Sequence, residues 1–368
     1  MNNKLTLSLI AGIVISAIAL YLAFRNVPFP ELIGYFATIN YVWALPSIII
    51  VVLCFFIRAL RWRIILESSR KISLMRAYHP MIIGFMMNCV LPGRVGELAR
   101  PVIIKKKENI PFATGLATVA AERVFDICFL VLFLVITFSV VKIDPDIKMK
   151  FGTYELSRET LTAIFGGMVK LGILLIAGIA LISINKIQQL VNRLIMKLPD
   201  LFFFTGRQFR AALSDKFCRP LTGFVENIAR GFHLIRYPKK LLVCLVLSFL
   251  VWGMHALSYY MLSLGSPDID LTFMEMSAHM VILMFIIALP SVPGFWGLWE
   301  AGGIFALSLF GIATKDAAGF TLVNHAIQVF PIIIMGFVSA MIISVNILQL
   351  SRNSKTIEDV DSNIDPKI

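Results

Sequence analysis

Charged residues are scarce in this chain, and that scarcity excludes most classes of soluble protein. They make up 15% of the 368 residues, whereas apolar residues make up 58%. Apolar stretches of about twenty residues, the length that spans a bilayer, recur from end to end. The five cysteines are odd in number and lack C-x-x-C spacing, so the sequence predicts neither a disulfide framework nor a metal site. No cofactor is predicted. The composition indicates an all-α polytopic membrane protein, expected in the cell (inner) membrane.

Acidic residues are few in the loops, and the loop charges predict the topology. The chain carries a net charge of +12, but its basic residues fall between apolar runs, which favours lipid headgroups over nucleic acid as their partner. The second apolar run is followed by six bases and one acid, which marks a cytoplasmic loop: Arg58, Arg61, Arg63, Arg70, Lys71 and Arg76 against Glu67. The charged residues of segment 263–275 are all acidic: Asp268, Asp270 and Glu275. They are expected outside, with both termini in the cytoplasm.

The apolar runs predict six crossings and one domain. The crossings are expected at 5–24, 41–62, 111–141, 161–184, 240–262 and 317–347. Together they form a single membrane domain over residues 1–350, in which 41–141 and 240–347 are the halves of a repeat. A cytoplasmic connection, 185–239, links the halves and has apolar residues at helical spacing over 187–198. The polar tail 351–368 is expected to be cytoplasmic.

Two apolar runs, 79–91 and 279–289, are too short to be ordinary crossings. At 1.5 Å per residue the first reaches only about 20 Å, against a hydrocarbon core of about 30 Å. Each run ends at prolines and glycines that break the helix: Pro92, Gly93 and Gly96 in the first, and Pro290, Pro293, Gly294 and Gly297 in the second. Broken segments at matching places in two halves are typical of transporters built from inverted repeats. We therefore predict two re-entrant hairpins of opposite orientation.

The long crossing 111–141 carries an ionisable cluster inside the membrane. Glu122 and Asp126 are four residues apart on one helical face, with Arg123 three residues before Asp126. A charged side chain at this depth costs about 2.5–3.5 kcal/mol and needs a partner or a water-filled cavity. The cluster has two compatible interpretations, a self-neutralising structural lock or a site that holds substrate.

The residues after the first Pro-Gly step predict an anion site. A helix that restarts near Gly96 presents free N–H groups, and Arg94 and Arg100 add positive charge; the two arginines could equally set topology. Glu97 and Glu300 follow the two breaks and could cap helices, pair with those arginines or carry protons.

Histidines and tryptophans in the apolar segments have ordinary structural interpretations. His79, His279 and His325 could relay protons, but packing or hydrogen bonding is the commoner use of such histidines, and no carboxylate lies at a sequence spacing that would mark a relay. An interfacial aromatic belt is expected to account for most of Trp252, Tyr259, Tyr260, Trp296 and Trp299.

The ordered motifs resemble a known membrane family. They are Asn88-x-x-Leu91-Pro92-Gly93-Arg94-x-Gly96-Glu97-x-x-Arg100, Glu122-Arg123-x-x-Asp126, Ser248-x-x-x-Trp252 and Pro290-x-x-Pro293-Gly294-x-x-Gly297-x-x-Glu300. This order is similar to the lysylphosphatidylglycerol synthase transmembrane-region family of flippase-like proteins, over residues 5–347. The resemblance implies a lipid-translocating domain that occurs alone or fused to a soluble synthase. Phe295 departs from the family pattern, which often has a second glycine there.

Three functions follow as hypotheses. The first is a lipid translocase that moves a phospholipid or a polyprenyl-phosphate lipid, with Arg94, Arg100 and Arg123 holding the headgroup. Glu97 and Glu300 would cap helices or couple proton movement to transport, and Glu122 with Asp126 would hold Arg123. The second is an intramembrane enzyme that modifies a lipid headgroup; the sequence offers no recognisable catalytic set, so a non-enzyme is expected. The third is a scaffold for a cytoplasmic partner. Membrane lipids are the expected partners, and a cytoplasmic lipid-synthesis enzyme is a further candidate. About twenty residues follow the last span, so no synthase domain, and hence no aminoacyl transfer, is expected.

Overall fold

The computed structural model describes residues 29–67, 69–91, 94–140, 149–151, 154–156, 185–201, 237–289 and 292–345, with scattered positions in 18–21, 163–178 and 206–223. The described helices of ten or more residues are α1 (Phe29–Thr38), α2 (Ala44–Leu66), α3 (Leu74–Val90), α4 (Gly96–Glu108), α5 (Phe112–Val140), α6 (Asn185–Leu201), α7 (Pro238–Ser263), α8 (Phe273–Ile286), α9 (Leu298–Ser308) and α10 (Thr314–Ile342). A hairpin of strands β1 (Met149–Phe151) and β2 (Tyr154–Leu156) lies between α5 and α6.

Three of these helices are long and apolar enough to cross a membrane. They are α2 with the turn before it (Tyr41–Leu66), α7 and α10, and they correspond to the predicted crossings 41–62, 240–262 and 317–347. Helix α5 has 29 residues, a length of about 43 Å, where the sequence predicts 111–141. The predicted crossings 5–24 and 161–184 lie largely outside the described residues, as does the tail 351–368. The chain is a helical membrane protein.

The short apolar segments form short helices with clear boundaries. Helix α3 starts at Ser73, whose Oγ accepts from the N–H of Arg76 at 3.4 Å, so it begins earlier than the predicted 79. Helix α8 starts at a reciprocal cap, in which Thr272 and Glu275 each accept from the other's N–H, at 3.3 and 2.8 Å. Helices α3 and α8 have 17 and 14 residues. Each is followed by a break and a second short helix, α4 or α9.

Helix α2 packs antiparallel along α7 at the centre of the molecule. The contacts run in opposite directions along the two helices, from Ser47 with Ser258 (2.8 Å between Oγ atoms) to Arg61 with Ser248 (2.8 Å). Further helix pairs link the first half to the second, among them α3 with α10 and α5 with α8. The outer faces of α2 and α7 expose large apolar side chains, which a bilayer would cover.

Helices α3 and α4 approach each other at two glycines. A Cβ atom added to Gly84 would lie 2.7 Å from the carbonyl oxygen of Gly96, and one added to Gly96 would meet the backbone of Gly84. Asn88, one turn beyond Gly84, accepts a 2.8 Å hydrogen bond from the N–H of Gly96. The first residue of α4 is therefore fixed against α3, and this contact sets where the side chains of α4 point.

Candidate functional site

A cavity of about 330 Å³ lies between elements of both halves of the chain. Its charged and titratable lining consists of Arg58, Arg94, Glu97, Arg123, Asp126 and His255. Its aromatic lining includes Phe55, Phe85, Trp252, Phe295 and Trp299. The wall therefore combines guanidinium groups with apolar rings, as expected of a site for a molecule with a charged part and an apolar part.

Asp126 on α5 is surrounded by guanidinium groups. Its Oδ1 accepts from Arg61 at 2.8 Å, and its Oδ2 lies 3.3 Å from Arg123 Nη1 and 3.6 Å from Arg58 Nη1. The contact with Arg123 is the i, i+3 pair that the sequence predicts. The carboxylate is buried, so these arginines provide the charge compensation that it needs away from water.

Glu122, one turn earlier on α5, holds two arginines that do not line the cavity. Its Oε2 is 2.5 Å from Arg100 Nη2, and its Oε1 is 3.3 Å from Arg61 Nη2. The guanidinium of Arg100 also lies 4.2 Å above the ring of Trp62. Because Arg61 also donates to Ser248, this buried network ties α2, α4, α5 and α7 together.

Arg123 and Glu97 form the accessible part of the network. Arg123 Nε lies 3.5 Å from Glu97 Oε1, and both side chains are about one third exposed, 34% and 31%. The other carboxylates of the network are almost fully buried. An exposed pair of this kind exchanges partners easily, because water already screens it. Arg123 is thus the cationic side chain best placed to leave Glu97 for a ligand in the cavity.

Arg94 connects the break after α3 to the second half of the chain. Its Nη2 donates to the carbonyl oxygens of Ile287 and Ala288 at 2.8 and 3.1 Å. Its guanidinium lies 5.9 Å from the centre of the Phe295 ring. Arg94 and Phe295 both have positive φ, 53° and 63°, and they occupy equivalent places after the two Pro-Gly steps. The two breaks therefore meet at one wall of the cavity.

The second break is organised by Glu300 and His325. Glu300 Oε2 accepts from the N–H of Gly297 at 2.6 Å, and its Oε1 lies 2.6 Å from His325 Nδ1. The other ring nitrogen of the histidine is 2.7 Å from the carbonyl oxygen of Gly294. Both side chains are buried, and the ring of Trp299 stacks on that of His325 at 4.6 Å.

Some of the sequence-predicted site residues line the cavity, and others form ion pairs buried away from it. Arg94, Glu97, Arg123 and Asp126 line one cavity. Arg100 is only 1% exposed and pairs with Glu122, so it does not line the cavity in which the sequence hypothesis would have it hold a headgroup. Glu122 pairs with Arg61 and Arg100 instead of Arg123.

The break residues fall partly within the described region. Gly96 starts α4, Pro293 and Gly294 form a short turn in which Gly294 has φ of 72°, and Gly297, with φ of 87°, precedes α9. Pro92, Gly93 and Pro290 lie outside the described residues.

Sequence reasoning missed several residues of the site. Arg58 and Arg61 were counted among the charges that mark a cytoplasmic loop, although the predicted crossing 41–62 contains them; α2 continues to Leu66 and buries both guanidinium groups. Their spacing, three residues apart at the end of an apolar helix, is the signal that could have identified them. His255 also lines the cavity without having been singled out.

Two aromatic expectations are corrected, and His325 is hydrogen-bonded and packed against a ring, as expected of a structural histidine. Trp252 and Trp299 are buried beside the cavity, 5% and 4% exposed, and do not form an interfacial belt. His325 does have a carboxylate partner, which approaches from another helix and so leaves no trace in sequence spacing.

The arrangement suits an anion and offers no metal centre among the described residues. Five arginines, at 58, 61, 94, 100 and 123, face three carboxylates, at 97, 122 and 126. The excess of positive charge lies beside an apolar wall, where electrostatic attraction is stronger than in water. Within the described part of the chain, no three side chains of His, Cys, Asp or Glu are close enough together to hold a metal ion.

Comparisons with known proteins agree with the resemblance seen in the motifs. A UPF0104 membrane protein of Methanocaldococcus jannaschii is 23% identical over 73% of this chain and 99% of its own length. A UPF0104 membrane protein of Pyrococcus horikoshii is 22% identical over 73% of this chain and 78% of its own. The glycosyltransferase AglD of Haloferax volcanii is 22% identical over 96% of this chain, which spans only 57% of that protein. No solved structure matches the chain.

The family model gives the broadest match. The model described as the lysylphosphatidylglycerol synthase TM region covers residues 9–336, which include every described helix of the cavity except the last turn of α10. The chain belongs to the lysylphosphatidylglycerol synthase transmembrane-region family.

Proposed function

We propose that the chain is a lipid translocase, which moves a lipid with a phosphate-bearing anionic headgroup between the two leaflets. The observation that carries the proposal is the cavity between the halves, in which Arg58, Arg94 and Arg123 face apolar rings. Its volume, about 330 Å³, is at the lower end of the range for small-molecule sites. It suits a headgroup, while the acyl chains would remain in the bilayer.

The proposed topology has six crossings and two re-entrant hairpins, α3 with α4 and α8 with α9. The lengths of three of the four arms support it, since α4, α8 and α9 extend only about 20, 21 and 16 Å, against a hydrocarbon core of about 30 Å. Irregular backbone such as the turn at 293–297 is tolerated at membrane depth where protein or a cavity surrounds it. In this topology both termini are cytoplasmic.

An inverted repeat is supported by how the helices pair. Exchanging the two halves converts the contact of α3 with α10 into that of α8 with α5, and both contacts are present. The same exchange maps the contact of α2 with α7 onto itself, because each of these helices takes the place of the other. The polar cluster Glu122, Arg123 and Asp126 has counterparts at a constant offset of 202 residues, Asn324, His325 and Gln328, and all of these second-half residues are buried. Rocking of one half against the other would expose the cavity to each leaflet in turn.

Headgroup binding would begin with exchange of an ion-pair partner. Arg123 would turn from Glu97, 3.5 Å away, to a phosphate oxygen, while Arg58 and Arg94 add charge from α2 and from the break. Hydrogen bonds to charged groups contribute about 1.5–3 kcal/mol, so losing one should slow transport by about 10- to 100-fold.

The test is redistribution of labelled lipids in proteoliposomes. Anionic phospholipid, aminoacylated phospholipid and polyprenyl phosphate would be compared for the wild type, Arg123→Ala, Glu97→Gln and the matched control Arg219→Ala, which removes an exposed arginine of a surface pair. We expect movement of at least one phosphate-bearing lipid, abolished by Arg123→Ala, reduced by Glu97→Gln and unchanged in the control. Transport at the wild-type rate by folded Arg123→Ala would overturn the proposed role of the cavity.

A second candidate is chemistry on a lipid headgroup, favoured by the match to a protein named as a glycosyltransferase. In the cavity, Asp126 and Glu97 are the carboxylates available as bases. Both are paired with arginines, which stabilises their ionised forms but occupies their oxygens. The appearance of a new lipid species with purified protein, or only in the presence of a cytoplasmic lipid-synthesis enzyme, would favour this alternative over translocation.

A further inference from the structure

The pair formed by His325 and Glu300 holds one exchangeable proton, as the geometry of its hydrogen bonds requires. The carbonyl oxygen of Gly294 can only accept, so His325 Nε2, 2.7 Å away, must carry a hydrogen. The remaining nitrogen, Nδ1, lies 2.6 Å from Glu300 Oε1. If the histidine were neutral and Glu300 ionised, two acceptors would face each other at that distance. One proton between Nδ1 and Oε1 is therefore needed.

We propose that His325 and Glu300 form a proton-binding site that holds the second break closed, and that release of the proton opens it. This inference rests on the proposed lipid translocation and gives it an energy source. The loaded pair is neutral overall, whichever atom carries the proton. On release, the proton passes from Nδ1 or Oε1 to water, and the pair is left with a neutral histidine and a carboxylate.

The proton controls both ends of one turn. Glu300 accepts from the N–H of Gly297, and His325 donates to the carbonyl oxygen of Gly294. A neutral histidine has a single N–H, so without the extra proton His325 can donate to Glu300 or to Gly294 but not to both, and turn 294–297 then loses one of the hydrogen bonds that hold it. Phe295 in this turn lies against Arg94, so a change in the turn reaches the cavity directly.

The two halves place chemically different cationic side chains at equivalent positions. Arg123 and Glu97 occupy the equivalent positions in the first half, at offsets of 202 and 203 residues. An arginine stays protonated at all physiological pH values, whereas a histidine changes charge near neutrality. The first half therefore has a permanent ion pair at the cavity, and the second half has a switchable pair beneath the turn.

Other buried polar atoms lie on the helices around the pair. Within the described residues, both ring nitrogens of His279, Oγ1 of Thr321 and Nε1 of Trp299 are buried without a hydrogen-bond partner. Buried groups of this kind are normally satisfied by water. The His279 ring lies 5.7 Å from that of Tyr259, and Tyr259 lies beside Asn324, the neighbour of His325 in sequence.

The charged and titratable groups around the pair come from several elements. Helix α7 contributes Tyr259 and His255, and α8 contributes His279. Across the cavity lie Arg58 of α2, Cys89 of α3, Arg94 of the first break, Glu97 of α4, and Arg123 and Asp126 of α5. Glu300 is the acidic side chain that touches His325 among the described residues. A pH response of this region is therefore assigned to the pair itself by removing its members one at a time.

The experiment measures proton binding separately from lipid movement. Infrared difference spectra of purified protein, recorded between about pH 5 and 9, detect the C=O stretch of a carboxyl group and the ring modes of histidine. The variants are Glu300→Gln and His325→Gln, and the control is His79→Gln, which removes a histidine at the start of α3. In Glu300→Gln the amide can donate permanently to Nδ1, so the turn stays closed.

We expect a titration in the wild type and the control that is absent from both variants of the pair. Lipid redistribution by Glu300→Gln should fall at least tenfold and lose its pH dependence, with the thermal unfolding temperature preserved. A titration that disappears in both variants supports the proton site even if no lipid moves, in which case only the proposed translocation fails. An identical titration in all four proteins, or none in the wild type, overturns the proton site even if lipid moves.

Discussion

The strongest stability prediction concerns Glu122, the buried carboxylate that pairs with Arg61 and Arg100. Glu122→Gln keeps the shape of the side chain and removes its charge. The cluster around it has four arginines, at 58, 61, 100 and 123, and three carboxylates. The substitution leaves four cations facing two anions, in a place where Glu122 and Arg61 are 0% exposed. Breaking a buried pair by removing one partner costs about 3–5 kcal/mol.

The matched control is Glu97→Gln, the same chemical change in an accessible ion pair. Glu97 and Arg123 are about one third exposed and 3.5 Å apart, so water screens their interaction and its loss should cost roughly 0.2–1 kcal/mol. Thermal unfolding of both variants in detergent, followed by intrinsic fluorescence, gives the comparison. We expect Glu122→Gln to unfold at a clearly lower temperature than Glu97→Gln, which should resemble the wild type.

A double variant tests whether uncompensated charge is the cause. Replacing Arg100 by Met in the Glu122→Gln background restores the original excess of one positive charge, and it also removes the cation held at 2.5 Å from Glu122. Replacing both partners of a buried pair by neutral groups is often nearly neutral in stability. The double variant should therefore be more stable than Glu122→Gln alone. The reasoning is refuted if Glu122→Gln and Glu97→Gln unfold together, or if the second substitution adds a further loss.

Two further predictions concern the backbone at Gly84 in α3, which packs against the start of α4, and at Phe295 in the second break. Gly84→Ala should destabilise the fold by about 1–3 kcal/mol in the same unfolding assay, because its Cβ would meet Gly96; Gly253→Ala, in open space on α7, should be neutral or slightly stabilising. Phe295→Gly should relieve a left-handed conformation that costs on the order of 1 kcal/mol, and it should also remove the ring beside Arg94. We expect that variant to unfold no earlier than the wild type but to transport lipid differently, and equal transport would show that the ring contact is unimportant.

The long helices were predictable because a bilayer imposes its thickness on the sequence. Helices α2, α7 and α10 lie where apolar runs of the required length occur, and their ends differ from the predicted ends by a few residues. The start of α3 was predicted five residues too late, because Leu74 and Met75 are followed by Arg76, which looks like a loop charge. Caps such as that of Ser73 decide such boundaries, and hydropathy does not register them.

Contacts within one helix of the charge cluster could be predicted from the sequence, whereas contacts between helices could not. Arg123 and Asp126 share a helix, so their spacing predicts their contact. Arg61 and Glu122 are 61 residues apart, and only the packing of α2 against α5 brings them together. Counting Arg58 and Arg61 as loop charges drew attention away from them as site residues, although the predicted crossing 41–62 already contained both. Arg58 and Arg61 lie inside α2.

The contact between the two breaks has the strength that a rocking mechanism needs. Arg94 makes two hydrogen bonds to carbonyl oxygens and one contact with the Phe295 ring. Arg94 is exposed, so water screens these contacts; taking about 0.5–1.5 kcal/mol for each hydrogen bond and about 0.5 kcal/mol for the ring gives roughly 1.5–3.5 kcal/mol. Two states of a protein typically differ by a few kcal/mol. In the proposed mechanism a contact of this size would close the wall in one state, and binding of a headgroup to Arg94, or loss of the proton proposed between His325 and Glu300, would reverse the balance.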